Sequence, residues 1–250
     1  MFEALRRHPF AVEAYFEWSL VLTYALPRSV LAPLLATGLE LDCYDEWGFL
    51  AIALVQTREL RPKGAPKWLG QRFLLSGYRI FARFARPGKQ SLRGLCILRS
   101  DTDRRSMVWL GNAFTRYHYR KAKVELTTSD DRIEVKLHTP HSEADLHVTA
   151  DLTSRPAPLP PSSPFRTLAE ARSFAGPLPY TFSYDASVGK MVVIRGLRKA
   201  WDPEPVQVDV KRASYLERAP FAGSAARLAN AFYVKGIPYA WKAGKLEAIR

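Results

Sequence analysis

Residues 119–152 read YRKAKVELTTSDDRIEVKLHTPHSEADLHVTADL, and this stretch carries the clearest structural signal in the chain. Apolar residues alternate with polar ones in three consecutive segments, which are separated by Ser129-Asp130-Asp131 and by Thr139 to Glu143. A period of two residues places every second side chain on the same face of a strand. The stretch therefore predicts three antiparallel strands joined by two hairpin connections, each strand apolar on one face.

Charge pairing selects the register of the first hairpin. If Leu126 lay opposite Ile133, then Glu125 would lie opposite Glu134, and like charges across a strand pair are destabilising. A shift of two residues places Glu125 opposite Lys136 and keeps the apolar face intact. We therefore predict the second register. The predicted buried face of the first strand contains Ala122, Val124 and Leu126.

Length and charge limit the classes of protein to consider. The chain has 250 residues, 47% of them hydrophobic, which allows one large domain or two small ones with a proper core. Its formal net charge of +13 favours anionic partners such as nucleic acid, anionic lipid heads or small acids. The basic residues are scattered, which is also typical of a solvated surface. The two cysteines, Cys43 and Cys96, are far apart and predict buried thiols rather than a disulfide or zinc site.

The N-terminus only partly resembles a signal peptide. Arg6 and Arg7 precede an apolar stretch, but Glu13 and Glu17 interrupt it. No window approaches the uninterrupted apolar length of a transmembrane helix. We therefore expect a soluble, cytoplasmic protein without a membrane span.

The rest of the chain predicts many strands and few helices. We expect a long strand over Val12 to Ala25, a strand buried on both faces over Gly48 to Thr57, and a loop over Arg58 to Leu69. Asp101 is the expected N-cap of a helix that ends near Phe114. Further helices are predicted at Arg28 to Ala36, Thr167 to Phe174 and Phe221 to Asn230, and further strands at Leu39 to Tyr44, Phe73 to Phe84, Leu92 to Leu98, Pro179 to Tyr184, Met191 to Gly196, Val206 to Lys211 and Tyr239 to Ile249.

A proline-rich segment, Ser154 to Pro164, predicts an extended connection. We interpret it as a crossover strap within one domain over residues 1–250. The residues after it contain too few continuous apolar strands to form a separate core. A closed or nearly closed sheet is the natural way to protect the edges of so many strands.

The order of these features resembles the YqjF-like bacterial proteins of the DUF2071 family. The stretches that carry the resemblance are Leu26-Pro27 to Leu41-Asp42, Arg79 to Ala82 leading to Pro87-Gly88, Ser100-Asp101, Tyr119 to Val124, and Ala200-Trp201. The family is placed in the acetoacetate decarboxylase-like superfamily. The resemblance implies an α+β fold, mostly antiparallel β, in which a barrel-like domain with a few short helices encloses a cavity.

The resemblance also points to lysine chemistry. In decarboxylases of that superfamily, one of two adjacent lysines forms a Schiff base with a keto acid and the other lowers its pKa. Here Lys121 and Lys123 are separated by one residue, and Arg198 or Lys199 stands where a histidine is usual. Lys121 is the catalytic candidate and Lys123 a ligand-binding candidate. The alternative is that both lysines lie on the solvated face of a strand and pair with glutamates.

Three further residues are candidates for ligand binding. Arg79 could clamp a carboxylate in a two-pronged contact if its side chain enters the barrel. Asp101 could orient that arginine, or could simply cap a helix. Tyr119 belongs to a stretch that carries the resemblance.

No metal site or cofactor is predicted. The five histidines form no tight metal-binding pair, although His138 and His147 could lie on neighbouring strands. The chain contains no G-x-S-x-G, G-x-G-x-x-G or P-loop motif. Our leading hypothesis is a protein that binds a small anionic or apolar-acid ligand in a barrel cavity. The alternatives are an enzyme that acts on a keto acid through Lys121, and a nucleic-acid binder, which is disfavoured because interleaved aromatic and basic residues are missing. The oligomeric state is left open.

Overall fold

The computed structural model describes residues 2–176, 178–199 and 201–249. Within these residues the chain forms fifteen strands and four short α-helices. The strands are β1 (Val12–Pro27), β2 (Leu39–Leu41), β3 (Trp47–Pro62), β4 (Gln71–Phe84), β5 (Leu92–Thr102), β6 (Tyr119–Lys121), β7 (Lys123–Thr128), β8 (Arg132–His138), β9 (Leu146–Asp151), β10 (Tyr180–Asp185), β11 (Lys190–Arg198), β12 (Glu204–Pro205), β13 (Gln207–Ala213), β14 (Arg227–Trp241) and β15 (Lys245–Ala248). The α-helices are α1 (Phe2–Leu5), α2 (Arg28–Leu31), α3 (Arg105–Phe114) and α4 (Leu168–Phe174), and single 3₁₀ turns cover Ala32–Leu34, Lys67–Leu69 and Pro140–Ser142.

Seven of the strands close into a barrel. They follow the order β14-β1-β3-β4-β5-β10-β11, and β11 pairs back onto β14 through Gly196 and Trp241. Neighbouring strands are antiparallel except for β5 and β10, which are parallel. The expected α+β fold, mostly antiparallel with a barrel-like sheet and few helices, is therefore confirmed. Closure protects the backbone groups that open sheet edges would expose.

The apolar run in β3 is buried on both faces, as its continuous pattern predicts. Every residue from Phe49 to Gln56 is buried, because one face lines the barrel interior and the other packs under a second sheet. The prediction of a loop over Arg58 to Leu69 is wrong in its first part, since β3 continues to Pro62. Pairing with β1 extends the strand: Val12 lies opposite Pro62.

The stretch at 119–152 belongs to two sheets rather than to one meander. Its first strand is interrupted at Ala122: β6 joins the barrel sheet beside β5, and β7 begins a four-stranded sheet in the order β13-β9-β8-β7. This second sheet packs over the outer face of β1, β3 and β4. The predicted register is confirmed, with Glu125 opposite Lys136 and Leu126 opposite Val135.

The buried face of that strand is only partly as predicted. Ala122 is buried, Val124 is half-buried, and Leu126 is 38% exposed. The reason is the position of β7 at the edge of its sheet, where the barrel no longer covers the strand.

Two helix predictions fail because β pairing extends further than the local sequence suggests. Asp101 is not an N-cap: β5 continues to Thr102, and α3 begins at Arg105 without a side-chain cap. The helix expected over Phe221 to Asn230 is absent, and β14 starts at Arg227 because its residues pair with β1.

The proline-rich strap connects strands of both sheets. Ala157 N donates to Pro205 O at 2.9 Å and Ser162 Oγ to Leu228 O at 2.9 Å, which hold the strap along the barrel. After it, the predicted helix forms as α4 from Leu168 to Phe174, and the side chain of its N-cap Thr167 accepts from Glu170 N. Strands from before and after the strap share both sheets. The single-domain organisation itself remains a prediction.

Candidate ligand-binding site

The barrel surrounds a cavity of about 270 Å³. Small side chains on β3, Ala51 and Ala53, leave this space open, while aromatic side chains from other strands form much of its wall. The aromatic lining includes Phe16, Phe73, Phe81, Phe232, Tyr239 and Trp241. Helix α3 and residues 8–12 also contribute to the lining. A mostly apolar cavity with a few convergent polar groups is typical of small-molecule sites.

Arg79 is the central polar group of the cavity. On β4 its side chain points to the same face as Phe81, whereas Tyr78 and Ile80 pack against the second sheet. Its Nε atom is buried and has no hydrogen-bond partner, and Arg79 forms no ion pair with any residue that the structure describes. Gly77 makes room for the guanidinium, since a Cβ there would lie 2.8 Å from Nε. Arg79 as a whole is half-buried, and an enclosed cation without a counterion is costly unless a ligand completes its contacts.

Three tyrosines lie near this guanidinium. Burial lowers the pKa of Arg79, and the nearby phenols of Tyr239, Tyr119 and Tyr117 oppose that effect. Burial raises the pKa of Tyr119 to about 12, with Arg79 acting in the opposite direction. Burial also raises the pKa of Tyr117 and of Tyr239. All three phenols are therefore neutral at pH 7 and can donate hydrogen bonds to an anion.

Helix α3 positions Tyr119. Asn112 Nδ2 donates to Tyr119 O at 2.8 Å, and Tyr119 N donates to Asn112 Oδ1 at 2.9 Å. Gly111 lies against the ring, where an added Cβ would approach Cδ2 to 2.3 Å. The helix can pack this closely only because residue 111 has no side chain.

Arg198 and His8 also line the cavity. Arg198 forms a side-chain hydrogen bond with Tyr239, and its guanidinium carbon lies 4.8 Å from the centre of the Trp201 ring. Burial lowers the pKa of His8, whose Nδ1 atom is buried without a partner. The cavity thus holds basic groups, and among its described lining residues there is no aspartate, glutamate or lysine.

The structure separates Asp101 from Arg79. Between Tyr78 and Arg79 the register of β4 against β5 shifts by one residue, which is a β-bulge at Leu98. The bulge turns Arg99 and Asp101 to the outer face of β5, whereas Ile97 lines the cavity. Asp101 pairs there with Arg99, whose Nε lies 2.9 Å from Oδ2. Asp101 therefore orients a different arginine from the one expected.

The two candidate lysines lie outside the cavity. Lys121 pairs with Thr102, the last residue of β5, and its exposed Nζ donates to Asp103 O at 2.7 Å and to Ala122 O at 2.9 Å. Lys123 Nζ forms an exposed ion pair with Glu125 at 3.0 Å. Both lysines therefore lie at the solvated surface, which is the alternative to a catalytic role given in the sequence analysis.

His138 and His147 take part in surface contacts of the second sheet. His147 Nε2 lies 2.8 Å from Glu134 Oε1, and His138 lies opposite Lys123. In the described parts of the chain, no group of three or more His, Cys, Asp or Glu side chains is arranged to hold a metal ion. Within the same residues, no helix is long and apolar enough to cross a membrane.

Of the polar residues that line the cavity, Arg79 and Tyr119 were candidates from the sequence, but Tyr117 and Tyr239 were not, and the sequence did not place Arg198 there. Tyr117 is two residues from Tyr119, but His118 between them has a φ of 53°, so the chain there is not extended and strand alternation did not indicate their shared position. Tyr239 also carried no local signal, because it reaches the site through the pairing of β14 with β11.

A family model settles the relationship of the chain to known proteins. The model for DUF2071, described as an uncharacterized conserved protein, matches residues 15–238. The chain belongs to the DUF2071 family. No curated protein matches it by sequence.

Solved structures similar to this DUF2071 protein share the acetoacetate decarboxylase-like fold. Acetoacetate decarboxylase from Legionella pneumophila is 12% identical, with a TM-score of 0.62 over 96% of this chain and 88% of that one. An acetoacetate decarboxylase-like enzyme from Sphingomonas wittichii RW1 is 12% identical, with a TM-score of 0.63 over 98% and 94%. The enduracididine biosynthesis enzyme MppR complexed with pyruvate is 9% identical, with a TM-score of 0.59 over 96% and 91%. The predicted family is confirmed, and these structures bear out the predicted fold.

Proposed function

We propose that this DUF2071 protein binds a small organic acid in its barrel and holds the acid's carboxylate on Arg79 without a covalent bond. The observation that carries the proposal is the buried Nε of Arg79, which has no partner in a cavity whose described lining contains no acidic side chain. A planar guanidinium matches a carboxylate with two parallel hydrogen bonds. The phenol of Tyr119 is a further donor.

The apolar walls favour an acid with a compact apolar tail. Phe16 stacks on Tyr239 with ring centroids 4.7 Å apart, and Phe81 and Ile97 flank Arg79 on the inner face. A strongly polar or highly charged ligand would have to leave its hydration shell among these side chains without compensation. MppR, a neighbour with the same fold, has been solved with pyruvate, which is a small carboxylate.

A Schiff-base mechanism has less support from the geometry. Its amine must be neutral and close to the substrate carbonyl. Lys121 instead donates to two backbone carbonyls at the surface, and the described cavity lining contains no lysine. Nucleic-acid binding through the basic surface likewise does not explain why an arginine is enclosed in the barrel.

The test is a thermal-shift and calorimetric comparison of acids with their uncharged analogues. Butyrate, pyruvate, acetoacetate and benzoate are compared with butanamide and benzamide, because a ligand that binds the native state raises its stability. We expect at least one acid to bind and its amide to bind much more weakly. Charge-assisted hydrogen bonds contribute about 1.5–3 kcal/mol, so Arg79→Met should weaken the acid by roughly 10–100-fold.

Arg195→Met is the matched control. Arg195 lies on β11 and is exposed on the outside of the barrel, so the same substitution there should leave the affinity unchanged. Equal binding of acids and amides, or full affinity in Arg79→Met, would refute the proposal.

A further inference from the structure

The lining of the cavity includes residues at the surface of the molecule. Among the described lining residues, Pro9, Phe10 and Pro62 are exposed, and Gln71 and Leu110 are half-buried. We call these five residues the entrance. The N-terminal segment, the end of β3, the start of β4 and helix α3 each contribute to it.

Large apolar side chains project into solvent around the entrance. Trp68 is 81% exposed in the 3₁₀ turn that leads into β4, and Leu69 follows it. Trp109 is 71% exposed on α3 and directly precedes Leu110. Isolated exposed apolar residues need no explanation, but two tryptophans, a leucine and Phe10 at one opening form an unusual group.

Hydrogen bonds and ring contacts hold the segments of this group together. Ser106 Oγ donates to Gln71 Oε1 at 2.8 Å, which ties the first turn of α3 to the start of β4. Lys63 N donates to Ala11 O at 2.9 Å, which ties the connection after β3 to the N-terminal segment. Phe10 packs edge-on against Phe114 of α3 with ring centroids 5.1 Å apart. The exposed side chains therefore stand on one fixed surface.

The charge of this surface is positive. Residues 60–72 contain four basic residues and no acidic one, and Arg104 and Arg105 begin the neighbouring helix segment. Arg61 and Arg72 form ion pairs with Glu13 and Glu17 at the edge of the group, and Lys67 Nζ lies 3.9 Å from Glu59 Oε2. We define the entrance surface as Phe10, Trp68, Leu69 and Trp109 together with Lys63, Lys67, Arg104 and Arg105.

We propose that the entrance surface docks the protein onto an anionic lipid bilayer. Tryptophan prefers the boundary between water and lipid, and each nearby lysine or arginine is attracted to anionic headgroups. A second copy of the chain would bring the same cations against each other, since a two-fold contact joins identical patches. A nucleic acid would satisfy the cations but not Leu69 and Phe10. Docking in this orientation turns the cavity towards the membrane, from which an apolar acid can enter.

The experiment is vesicle co-sedimentation of the full chain in the absence of any small ligand, so its outcome does not depend on the proposed acid binding. Phosphatidylcholine vesicles are compared with vesicles that also contain phosphatidylserine. We expect binding to the anionic vesicles that falls with added salt. Since each cation contributes a factor of about five, Lys63→Gln/Lys67→Gln should weaken binding roughly 25-fold. Trp68→Ser/Trp109→Ser should weaken it roughly tenfold or more.

The matched control is Leu126→Ser/Lys211→Gln on the second sheet. These residues are also exposed, so the variant removes one apolar and one basic surface residue without touching the entrance surface, and it should bind like the unaltered protein. Equal sedimentation of all variants would overturn the proposal. So would a tryptophan-dependent doubling of mass in light scattering without lipid, which would identify self-association. Binding of single-stranded DNA that the tryptophan variant loses, without vesicle binding, would identify a nucleic-acid surface instead.

Discussion

Arg79 and Arg99 lie on opposite faces of the same pair of strands, and only Arg99 is neutralised by carboxylates. On the outer face, Arg99 binds Asp101 at 2.9 Å and Glu143 at 2.7 Å. Burial lowers the pKa of Arg99, but these carboxylates outweigh burial and leave it raised. On the inner face, Arg79 has no carboxylate, and its pKa is lowered.

The difference separates a structural charge from a candidate binding charge. Two carboxylates neutralise Arg99 between the two protein layers, although its Nη2 atom is buried without a hydrogen-bond partner. Arg79 faces a cavity large enough for a small molecule, and its contacts are incomplete without one. Residues held at a cost to stability are common at functional sites. The comparison therefore predicts opposite responses of stability when the two charges are disturbed.

The largest effect is expected from Asp101→Ala on the outer face. It removes the fully buried one of the two counterions of Arg99, and breaking a buried pair on one side typically costs about 3–5 kcal/mol. The free energy of unfolding from urea titration measures the loss. Asp131→Ala in the exposed β7–β8 loop is the control, with a change within about 0.5 kcal/mol. If Asp101→Ala lowered the free energy of unfolding no more than Asp131→Ala does, the Arg99–Asp101 pair would contribute nothing to stability.

The opposite sign is expected from Arg79→Met on the inner face. Replacing an enclosed, half-buried cation that has no counterion by an apolar side chain of similar length should stabilise the ligand-free protein by about 1–3 kcal/mol. The urea midpoint should rise, while Arg195→Met leaves it unchanged. A clear loss of stability would show that Arg79 supports the fold, and the contrast with Arg99 would disappear.

A smaller and pH-dependent effect distinguishes paired charges from Arg79. Burial raises the pKa of Asp185, but hydrogen bonds from Ser187 and Arg7, with the charge of Arg116, outweigh it and lower the pKa to about 2. A carboxyl with a depressed pKa stabilises the fold above its ordinary pKa of 3.8, and this contribution disappears as pH falls towards 2. It amounts to about 2 kcal/mol.

Urea titrations between pH 6 and pH 2.5 test this assignment. The difference in stability between the unaltered protein and Asp185→Asn should shrink as the solution is acidified below pH 4. The difference for Arg79→Met should stay constant, because a guanidinium does not titrate in this range. A constant difference for Asp185→Asn would contradict the role of its ion pairs with Arg7 and Arg116.

Local patterns predicted those parts of the fold that local chemistry decides. The register of β7 against β8 followed from the charges of Glu125, Glu134 and Lys136, because cross-strand neighbours in a hairpin are close in sequence. The split at Ala122 was not predictable. It depends on β5, which pairs with residues 119–121 in the barrel sheet. It also depends on the outer face of β1, β3 and β4, which the second sheet covers.

The positions of the candidate site residues depended even more on pairing between strands that are distant in sequence. Alternation along β4 placed Arg79 on one face, but which face was inside depended on the closure of β11 onto β14. A one-residue bulge at Leu98 decided that Asp101 lies on the other face, and no residue type there signals it. Extended pairing with β1 likewise overrode the helical pattern before Asn230.

The smallest effect is expected at Lys121, where the comparison predicts no change at all. A lysine that forms a Schiff base must lose its proton and face the substrate, but Lys121 Nζ donates to two carbonyls at the rim of the barrel. Borohydride trapping with acetoacetate or pyruvate, followed by mass spectrometry, should therefore give no adduct on Lys121. Lys121→Ala should bind acids as tightly as the unaltered protein, in contrast to Arg79→Met. A stoichiometric adduct that disappears in Lys121→Ala would show that the lysine swings into the cavity, and the acid would then be a covalently held substrate rather than a ligand of Arg79.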